Sequence, residues 1–267
     1  MAAPSRGMLA AAALLLVLAS ACASTPTRPP AGTLEPDKYL FEHGTAALND
    51  RKWFTAREFF RTLVDSYPQS THRADAKLGV ADSYLGEGSI ESTLLAINEY
   101  REFLSYYPTH ERAHYAQYQL GMAHFKQMRN PYRDQTETRE AIIEFSTYLQ
   151  RYADKPLAGE VRERLREARD RLGMSEYNVG YFYYRSMKWY PGAIERFVGL
   201  LKDDPDYTHR DAVYFHLAQS LIKIGKPAEA LPYLDRLVAE FEQSEYLEEA
   251  KVQMATLKAE MAKKAGS

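Results

Sequence analysis

The sequence predicts an all-α protein, an α-solenoid of about five helix-turn-helix repeats. One observation is a pattern of three sites that recurs five times: a small residue, an apolar residue four positions later, and a helix stop twelve positions later. A second observation is that another helical segment, with a small residue of its own, precedes each copy. A third is that 14 glycines and 13 prolines in 267 residues are too few for a turn-rich all-β fold.

The N-terminal segment, residues 1–21, is predicted to be a signal peptide. Leu9 to Leu18 form an apolar run that is too short to span a membrane, and small residues follow it. Cys22, the one cysteine of the chain, comes next, at the position of the lipid-modified cysteine in a lipobox. Ala19 stands where a lipobox usually has Leu. We expect a covalent lipid on Cys22; an ordinary signal peptide cleaved slightly later is the alternative.

The residue after the cysteine indicates the membrane. In lipoproteins an Asp at this position tends to retain the protein in the inner membrane, and here the residue is Ala23. By this analogy we expect a protein of the cell outer membrane that faces the periplasm. Residues 22–36 are rich in Pro and Thr and are expected to form a flexible tether between the lipid and the fold.

Each predicted repeat is a pair of helices. A small residue on each helix lets the pair cross closely, and the apolar residue four positions later fills the groove between them. One pair cannot bury its apolar face alone, so copies should stack. The small residues of the first helices are Gly44, Ala81, Gly121, Gly180 and Ala218. The second helices carry Ala56 with Phe60, Ala96 with Tyr100, Ala141 with Phe145, Ala193 with Phe197, and Ala230 with Leu234. The stops are Pro68, Pro108, Ala153, Pro205 and Glu242.

Some segments depart from the repeat. Residues 130–137 are an insertion between the two helices of the third repeat. Residues 157–172 have a strong helical pattern that can run on to Lys188, with Glu160–Arg164 and Glu167–Arg171 as i,i+4 ion pairs. We therefore divide the fold into repeats 1–3 (residues 37–153) and repeats 4–5 with a long connecting helix (154–257). Residues 258–267 are expected to fray.

No catalytic pattern is found in the sequence, so a non-enzymatic binding protein is predicted. Without a thiol in the fold, cysteine catalysis and thiolate metal sites are excluded. His110 and His114 have a spacing that can clamp a metal, but a third ligand is not evident, and capping or surface roles are expected. We expect no metal and no cofactor besides the lipid. The net charge of −2 gives no reason to expect a nucleic acid partner.

The repeat pattern resembles the tetratricopeptide repeat, and more local segments resemble the BamD family of lipoproteins, which belong to the β-barrel assembly machine. The match covers residues 37 to about 257. The segments that carry it are Tyr67-Pro68, Pro108-Thr109-His110 with Tyr115, Tyr118 and Gly121, the inserted Arg133-Asp134-Gln135-Thr136 with Arg139-Glu140-Ala141, and Glu176-Tyr177 with Tyr183-Tyr184. Departures are Ala19 in the lipobox, Ala153 in place of proline, and a rather long tail.

The resemblance implies a scaffold that helps to fold and insert outer-membrane β-barrel proteins. In that family the N-terminal repeats receive the C-terminal strand of an unfolded barrel protein, and the C-terminal repeats dock on BamA, an Omp85-type barrel. Other assembly-machine lipoproteins are further partners. Arg196 falls where the family has an arginine that pairs with a BamA carboxylate. Arg133 and Asp134 of the inserted loop are predicted to contribute to the same contact.

Repeat geometry predicts the substrate groove, because concave residues come mostly from the first helix of each pair. An extended barrel strand ends in an aromatic residue and a carboxylate; aromatic walls would pack the first, and Arg73 or Lys77 could hold the second. Packing between repeats is the alternative role for every residue of this set. The predicted groove residues are Phe41, Thr45, Leu48, Arg73, Lys77, Tyr84, Tyr115 and Tyr118.

Three other functions are alternatives to this interpretation. A pilotin-like tetratricopeptide lipoprotein would escort a secretin or a pilus component. A periplasmic regulator of cell-wall enzymes would usually lack the lipid and would carry a coiled coil before the repeats, and no heptad segment precedes residue 37. A lipid-anchored enzyme would need a nucleophile or a metal set, and the sequence offers neither.

Overall fold

A computed structural model describes residues 28–265 of the chain, with side chains to residue 263. The predicted signal peptide, Cys22 and the first part of the tether lie outside the described residues. Within the described range there are eleven α-helices and no strand, so the all-α prediction is confirmed. None of these helices combines the length and the apolar character that crossing a membrane requires.

The described residues divide into two compact units, one up to residue 88 and the other from residue 89. The described part of the first unit contains α1 (Pro36–Asn49), α2 (Trp53–Ser66) and α3 (Arg73–Glu87). A proline in the first turn of α1 suits a helix start, where its missing N–H costs no hydrogen bond. Gly88 ends α3 with a φ of 76°, a left-handed conformation that glycine adopts without strain. Helix α2 packs against both α1 and α3.

The second unit contains eight described helices, and each packs against the next one along the chain. Its first helix begins after Ser89, whose hydroxyl accepts a hydrogen bond from the amide of Ser92 at 3.0 Å. The helices are α4 (Ile90–Tyr106), α5 (Ala113–Lys126), α6 (Thr136–Arg151), α7 (Ala158–Phe182), α8 (Tyr190–Asp203), α9 (Arg210–Lys223), α10 (Pro227–Glu240) and α11 (Leu247–Ala265).

The unit boundary falls inside the predicted second repeat, because α3 belongs to one unit and α4 to the other. This boundary separates two units that are each compact, and it says nothing about function. The division at residues 153 and 154 into a substrate-facing half and a partner-docking half concerns function, and it stays a prediction.

The three-site pattern matches the core. The small residues of the second helices are fully buried, and so are their apolar partners four positions on. A Cβ on Gly44 would lie 2.7 Å from the ring of Phe60, and a Cβ on Gly121 or Gly180 would lie 2.6 Å from the ring of Phe145 or Phe197. The aromatic ring of each of these three repeats therefore occupies the space that a side chain on the first helix would need. Each second helix ends two residues before its predicted stop, including the two stops without proline.

The predicted long helix is also present. Helix α7 runs to Phe182 and continues as a π-helical turn, Tyr183–Met187, which ends where Lys188 takes a φ of 50°. The predicted pair Glu160–Arg164 is present at 3.8 Å. The second predicted pair is wrong, because Glu167 contacts Arg164 at 3.4 Å. Its expected partner, Arg171, donates instead to a backbone carbonyl of the loop before α6.

The C-terminal segment is helical as far as it is described. We expected fraying from residue 258, but α11 continues to Ala265. Ala250 and Leu257 anchor one face of this helix in the core, and Lys258 forms an ion pair with Asp235 of α10 at 3.2 Å. These anchors end close to where fraying was predicted to begin, and residues 258–263 are exposed.

Candidate partner-binding site

Arg196 lies on α8 in an ion-pair network that spans three helices. Its guanidinium donates to the Glu176 carboxylate of α7 at 3.3 Å, and the other oxygen of that carboxylate lies 3.7 Å from Arg139 of α6. The Arg196 side chain keeps 47% of its surface exposed. One acidic side chain thus holds two arginines, and both arginines still face solvent. Sequence reasoning selected Arg196 but not Glu176 or Arg139 as its neighbours, because 20 and 57 residues separate them from it in the chain.

This network borders a cleft of about 660 Å³ between α6, α7 and α8. Asp204 also lines the cleft, and its carboxylate is buried and held by the Arg166 guanidinium through two hydrogen bonds, one of them at 3.0 Å. Asp170 also lies 3.0 Å from Arg166. The Asp204 carboxylate is therefore satisfied within the protein, whereas the exposed Arg196 is open to an external carboxylate. Apolar side chains that line the cleft are those of Ile142, Leu172 and Leu200.

The insertion predicted at residues 130–137 forms a loop of residues 127–135 in the structure. Hydrogen bonds within the loop hold its conformation. Asp134 accepts from the amide of Thr136 at 3.1 Å at the start of α6, and hydrogen bonds from the side chain and then the amide of Thr136 lower the Asp134 pKa below its ordinary value. Gln135 is buried and donates to the carbonyls of Asn130 (3.0 Å) and Arg133 (2.9 Å). The structure therefore gives Asp134 a local structural role, while the Arg133 side chain is exposed.

The predicted groove residues divide between the two units. Phe41, Thr45 and Leu48 share one face of α1 and are half-buried. The Phe41 ring stacks on the His72 ring with centroids 4.8 Å apart, and the Thr45 hydroxyl donates to the carbonyl of Phe41 at 2.8 Å. These three residues are the part of the predicted set that forms a continuous, partly open face in the first unit.

The other predicted groove residues of the first unit lie on α3 and are already engaged. Arg73 donates to the carbonyl of Val64 at 3.3 Å, and Lys77 is partly buried with a partner within the protein. Tyr84 is buried: the Arg57 guanidinium lies 4.1 Å from its ring centroid, and Arg61 donates to its hydroxyl at 2.6 Å. Tyr84 thus fills the space between α2 and α3, which is the packing role that the sequence left open as the alternative.

Tyr115 and Tyr118, on α5, belong to the second unit, and both hydroxyls bond within the protein. Gln119 donates to the Tyr115 hydroxyl at 3.0 Å, and the Tyr118 hydroxyl donates to Glu160 of α7 at 2.7 Å. Burial, followed by this bond to Glu160, raises the pKa of Tyr118 to about 12. Tyr118 therefore links α5 to α7 as a neutral donor.

The two histidines with metal-clamping spacing, His110 and His114, contact other residues of the fold. His110 accepts from the amide of Arg112 at 3.2 Å in the turn before α5, and His114 packs edge-on against Tyr148. A different histidine, His124, does lie close to two carboxylates, Glu140 and Glu144. However, the Arg101 guanidinium occupies the space between them, 3.4 Å from both His124 and Glu140 and 3.7 Å from Glu144. A protein cation thus takes the place that a metal ion would need.

Comparisons with known proteins find similarity over most of the chain. The model of a family described as outer membrane lipoprotein (YfiO) matches residues 34–224, which include α1 to α9, and a tetratricopeptide repeat model matches residues 212–244. The chain is 27% identical over 223 residues to the outer membrane protein assembly factor BamD of Caulobacter vibrioides, covering 82% of this chain and 71% of that protein. It is 28% identical over 203 residues to the BamD of Vibrio cholerae, covering 72% of this chain and 81% of that protein.

Proposed function

The chain belongs to the YfiO family of outer membrane lipoproteins, and from this membership we propose that it is a lipid-anchored scaffold of the machine that assembles β-barrel proteins in the outer membrane. The resemblance to the BamD family is thereby confirmed, and so is association with the outer membrane. The proposal adds three finer statements: a lipid on Cys22 that leaves the fold in the periplasm, docking on a BamA-type Omp85 barrel, and binding of unfolded barrel proteins.

The observation that carries the docking proposal is the open arginine of the α6–α8 cleft. Arg196 holds Glu176 through a single 3.3 Å contact and is half-exposed, so a carboxylate from a partner can pair with its remaining donors. Because Arg139 is also within 4 Å of Glu176, the Glu176 carboxylate stays paired with Arg139 when Arg196 turns to a partner. The network can therefore exchange an internal contact for an external one without leaving a charge alone.

Affinity purification of the full lipidated chain from gently solubilised outer membranes tests the proposal. We expect a stoichiometric Omp85-type barrel with periplasmic repeat domains to copurify. The Arg196→Glu variant should reduce its recovery at least about tenfold, equivalent to about 1.4 kcal/mol, because it places a carboxylate opposite the partner's carboxylate.

The matched control is Arg162→Glu, which makes the same charge change at an exposed position of α7 outside the cleft. This variant should retain the partner at the wild-type level. Equal loss with both variants would make the effect one of net charge and would contradict docking at Arg196. A secretin or a peptidoglycan synthase in place of the barrel would contradict the assembly function as a whole.

The partly open face of α1 is the part of the first unit best suited to an unfolded barrel strand, because Phe41, Thr45 and Leu48 line it in one row. A photo-crosslinking amino acid at Leu48 should capture a peptide that corresponds to the C-terminal strand of a barrel protein. The same probe at Ala46, which is exposed and points away from this row, should not. Equal capture at both positions would contradict binding of the barrel strand on this face of α1.

A further inference from the structure

A second surface of the second unit is suited to binding. It uses a different face of α7 from the Arg196 cleft, and its lining has a different chemistry. At the C-terminal end of α7, Phe182 keeps 52% of its surface exposed, and Val179 is exposed beside it. Facing them is Tyr132 of the inserted loop, which is 78% exposed. Between the loop and the helix lies a cleft of about 490 Å³, within the range of about 300–1,000 Å³ that is common for ligand sites.

The two clefts use different faces of α7. Helix α7 contributes Ser175, Asn178, Val179 and Phe182 to the cleft at the loop, a spacing of three and four that defines one face. Its contribution to the Arg196 cleft comes from another face, which contains Leu172, Gly173 and Glu176. The two clefts therefore have no lining residue in common.

The loop wall of this cleft is held in place by hydrogen bonds. Besides the two bonds from the buried Gln135 to loop carbonyls, the amide of Tyr132 donates to the Asn130 side chain at 3.0 Å. Arg171 of α7 donates to the carbonyl of Arg129 at 3.3 Å and so ties the loop to the helix. Tyr132 is thus presented by a constrained backbone, which reduces the entropy that binding would cost.

The helix wall is held by aromatic packing. The Tyr183 ring, at the start of the π-helical turn, lies edge-on to the Trp189 ring with centroids 5.1 Å apart. Trp189 in turn lies against Gly192, where an added Cβ would come within 2.3 Å of the ring. Only glycine leaves room for this tryptophan. Trp189, although half exposed, therefore supports the Tyr183 side of this wall.

The polar groups of the cleft indicate what it can bind. Among the described residues that line the cleft, Arg133 is the one with a charge, and it is positive. The charge that complements this lining is negative.

We propose that this cleft binds an extended segment of a partner protein in which an aromatic side chain stands next to a carboxylate. The aromatic ring enters between Tyr132 and Phe182, and the carboxylate pairs with Arg133. The site goes beyond the proposed docking at Arg196, because it uses another face of α7 and recognises a peptide rather than a single carboxylate.

Three labelled twelve-residue peptides, added to the full chain in detergent, provide the test by fluorescence anisotropy. The first alternates Phe and Tyr with Asp and Glu, the second replaces the acids with Lys, and the third replaces the aromatic residues with Ser. We expect saturable binding of the first peptide, at least tenfold tighter than that of either of the others. Absence of saturable binding of the first peptide, or equal binding of the Lys peptide, would overturn the proposal.

Variants of the cleft locate the binding. Phe182→Ser should weaken binding of the first peptide about tenfold or more, because it removes one aromatic wall. The matched control is Leu94→Ser on α4, since Leu94 is exposed to nearly the same degree (51%) but lies outside the cleft. Arg133→Glu should abolish the preference for acids, while Arg196→Glu should leave peptide binding unchanged. Equal affinities of the Phe182→Ser and Leu94→Ser variants would contradict this site, and loss with Arg196→Glu would assign the peptide to the docking cleft.

Discussion

At the scale of single residues, glycine on a first helix decides how closely two helices approach. Gly180 of α7 leaves its space to the fully buried ring of Phe197, whereas Gly199 of α8 has no neighbour within 4 Å of an added Cβ. Both glycines lie inside helices, so helix propensity alone favours alanine at both positions. Packing opposes that preference at Gly180 and has no effect at Gly199.

The contrast predicts opposite outcomes of the same substitution. Gly180→Ala should lower the free energy of unfolding by about 1–3 kcal/mol, the usual cost of overpacking a core. Gly199→Ala should raise it by up to about 1 kcal/mol, because alanine is the better helix former. Urea unfolding monitored by circular dichroism measures both changes. A neutral Gly180→Ala would mean that the ring of Phe197 has room to move.

His216 of α9 is buried among aromatic rings, including those of Tyr177 and Tyr246. Burial lowers its pKa below the ordinary value, although its hydrogen bond with the Ala212 carbonyl and the charge of Glu245 act in the opposite direction. The unfolded chain then binds a proton at a higher pH than the folded chain. The stability that depends on neutral His216 is therefore complete above about pH 6.5 and is lost as the pH falls.

Comparing urea midpoints at pH 8 and pH 5 checks this dependence. The His216→Gln variant cannot take up the proton, so its midpoint should fall less between the two values than that of the wild type. His43→Gln, at an exposed position of α1, is the control and should follow the wild type. The same loss in wild type and His216→Gln would show that other groups cause the acid sensitivity.

At the scale of elements, α7 joins two parts of the second unit. Arg166 binds the buried carboxylate of Asp204 at the end of α8, and Asp170 accepts two hydrogen bonds from Thr208, from its amide at 2.9 Å and its hydroxyl at 2.7 Å. Tyr207, between them, is fully buried against Gly173. Two charged side chains of α7, Arg166 and Asp170, thus hold the turn from α8 to α9.

A double-mutant cycle tests the Arg166–Asp204 contact. Arg166→Leu should cost about 2–3 kcal/mol, because it leaves the Asp204 carboxylate buried without a partner; partial exposure of Arg166 keeps this below the figure of about 3–5 kcal/mol for fully buried pairs. Adding Asp204→Leu should recover at least about 1 kcal/mol. The same cycle on the exposed pair Arg164 and Glu167 should give less than about 0.5 kcal/mol. Strict additivity at Arg166 and Asp204 would contradict the argument.

At the scale of the whole molecule, the proposed scaffold needs an attachment to the membrane, and the proposal assigns it to Cys22. Cys22→Ala removes the thiol that accepts the lipid. Labelled palmitate should no longer be incorporated, and the variant should no longer be recovered in the outer-membrane fraction. Unchanged labelling would contradict lipid attachment at Cys22. Loss of label with unchanged fractionation would mean that partner contacts alone hold the protein at the membrane.

Much of the fold could be predicted from the sequence, because the core residues of each repeat stand at fixed, short spacings along the chain. A small residue and an aromatic residue four positions apart lie on one helix face, so spacing alone identified residues such as Ala56, Phe60 and Phe197 that prove to be fully buried. The family could be recognised for a similar reason, since its motifs are short and contiguous. Arg196 was found through such a motif.

Only the tertiary structure decided which polar side chains meet, because partners on different helices depend on how each helix is rotated against its neighbour. Tyr84 was predicted for a groove but lies buried beneath two arginines, and Glu176 became the partner of Arg196 across 20 residues of chain. The cleft beside Tyr132 likewise needs an inserted loop and the end of α7 to come together. Sequence spacing reports the face of one helix, whereas a binding site on a solenoid is formed by the faces of several.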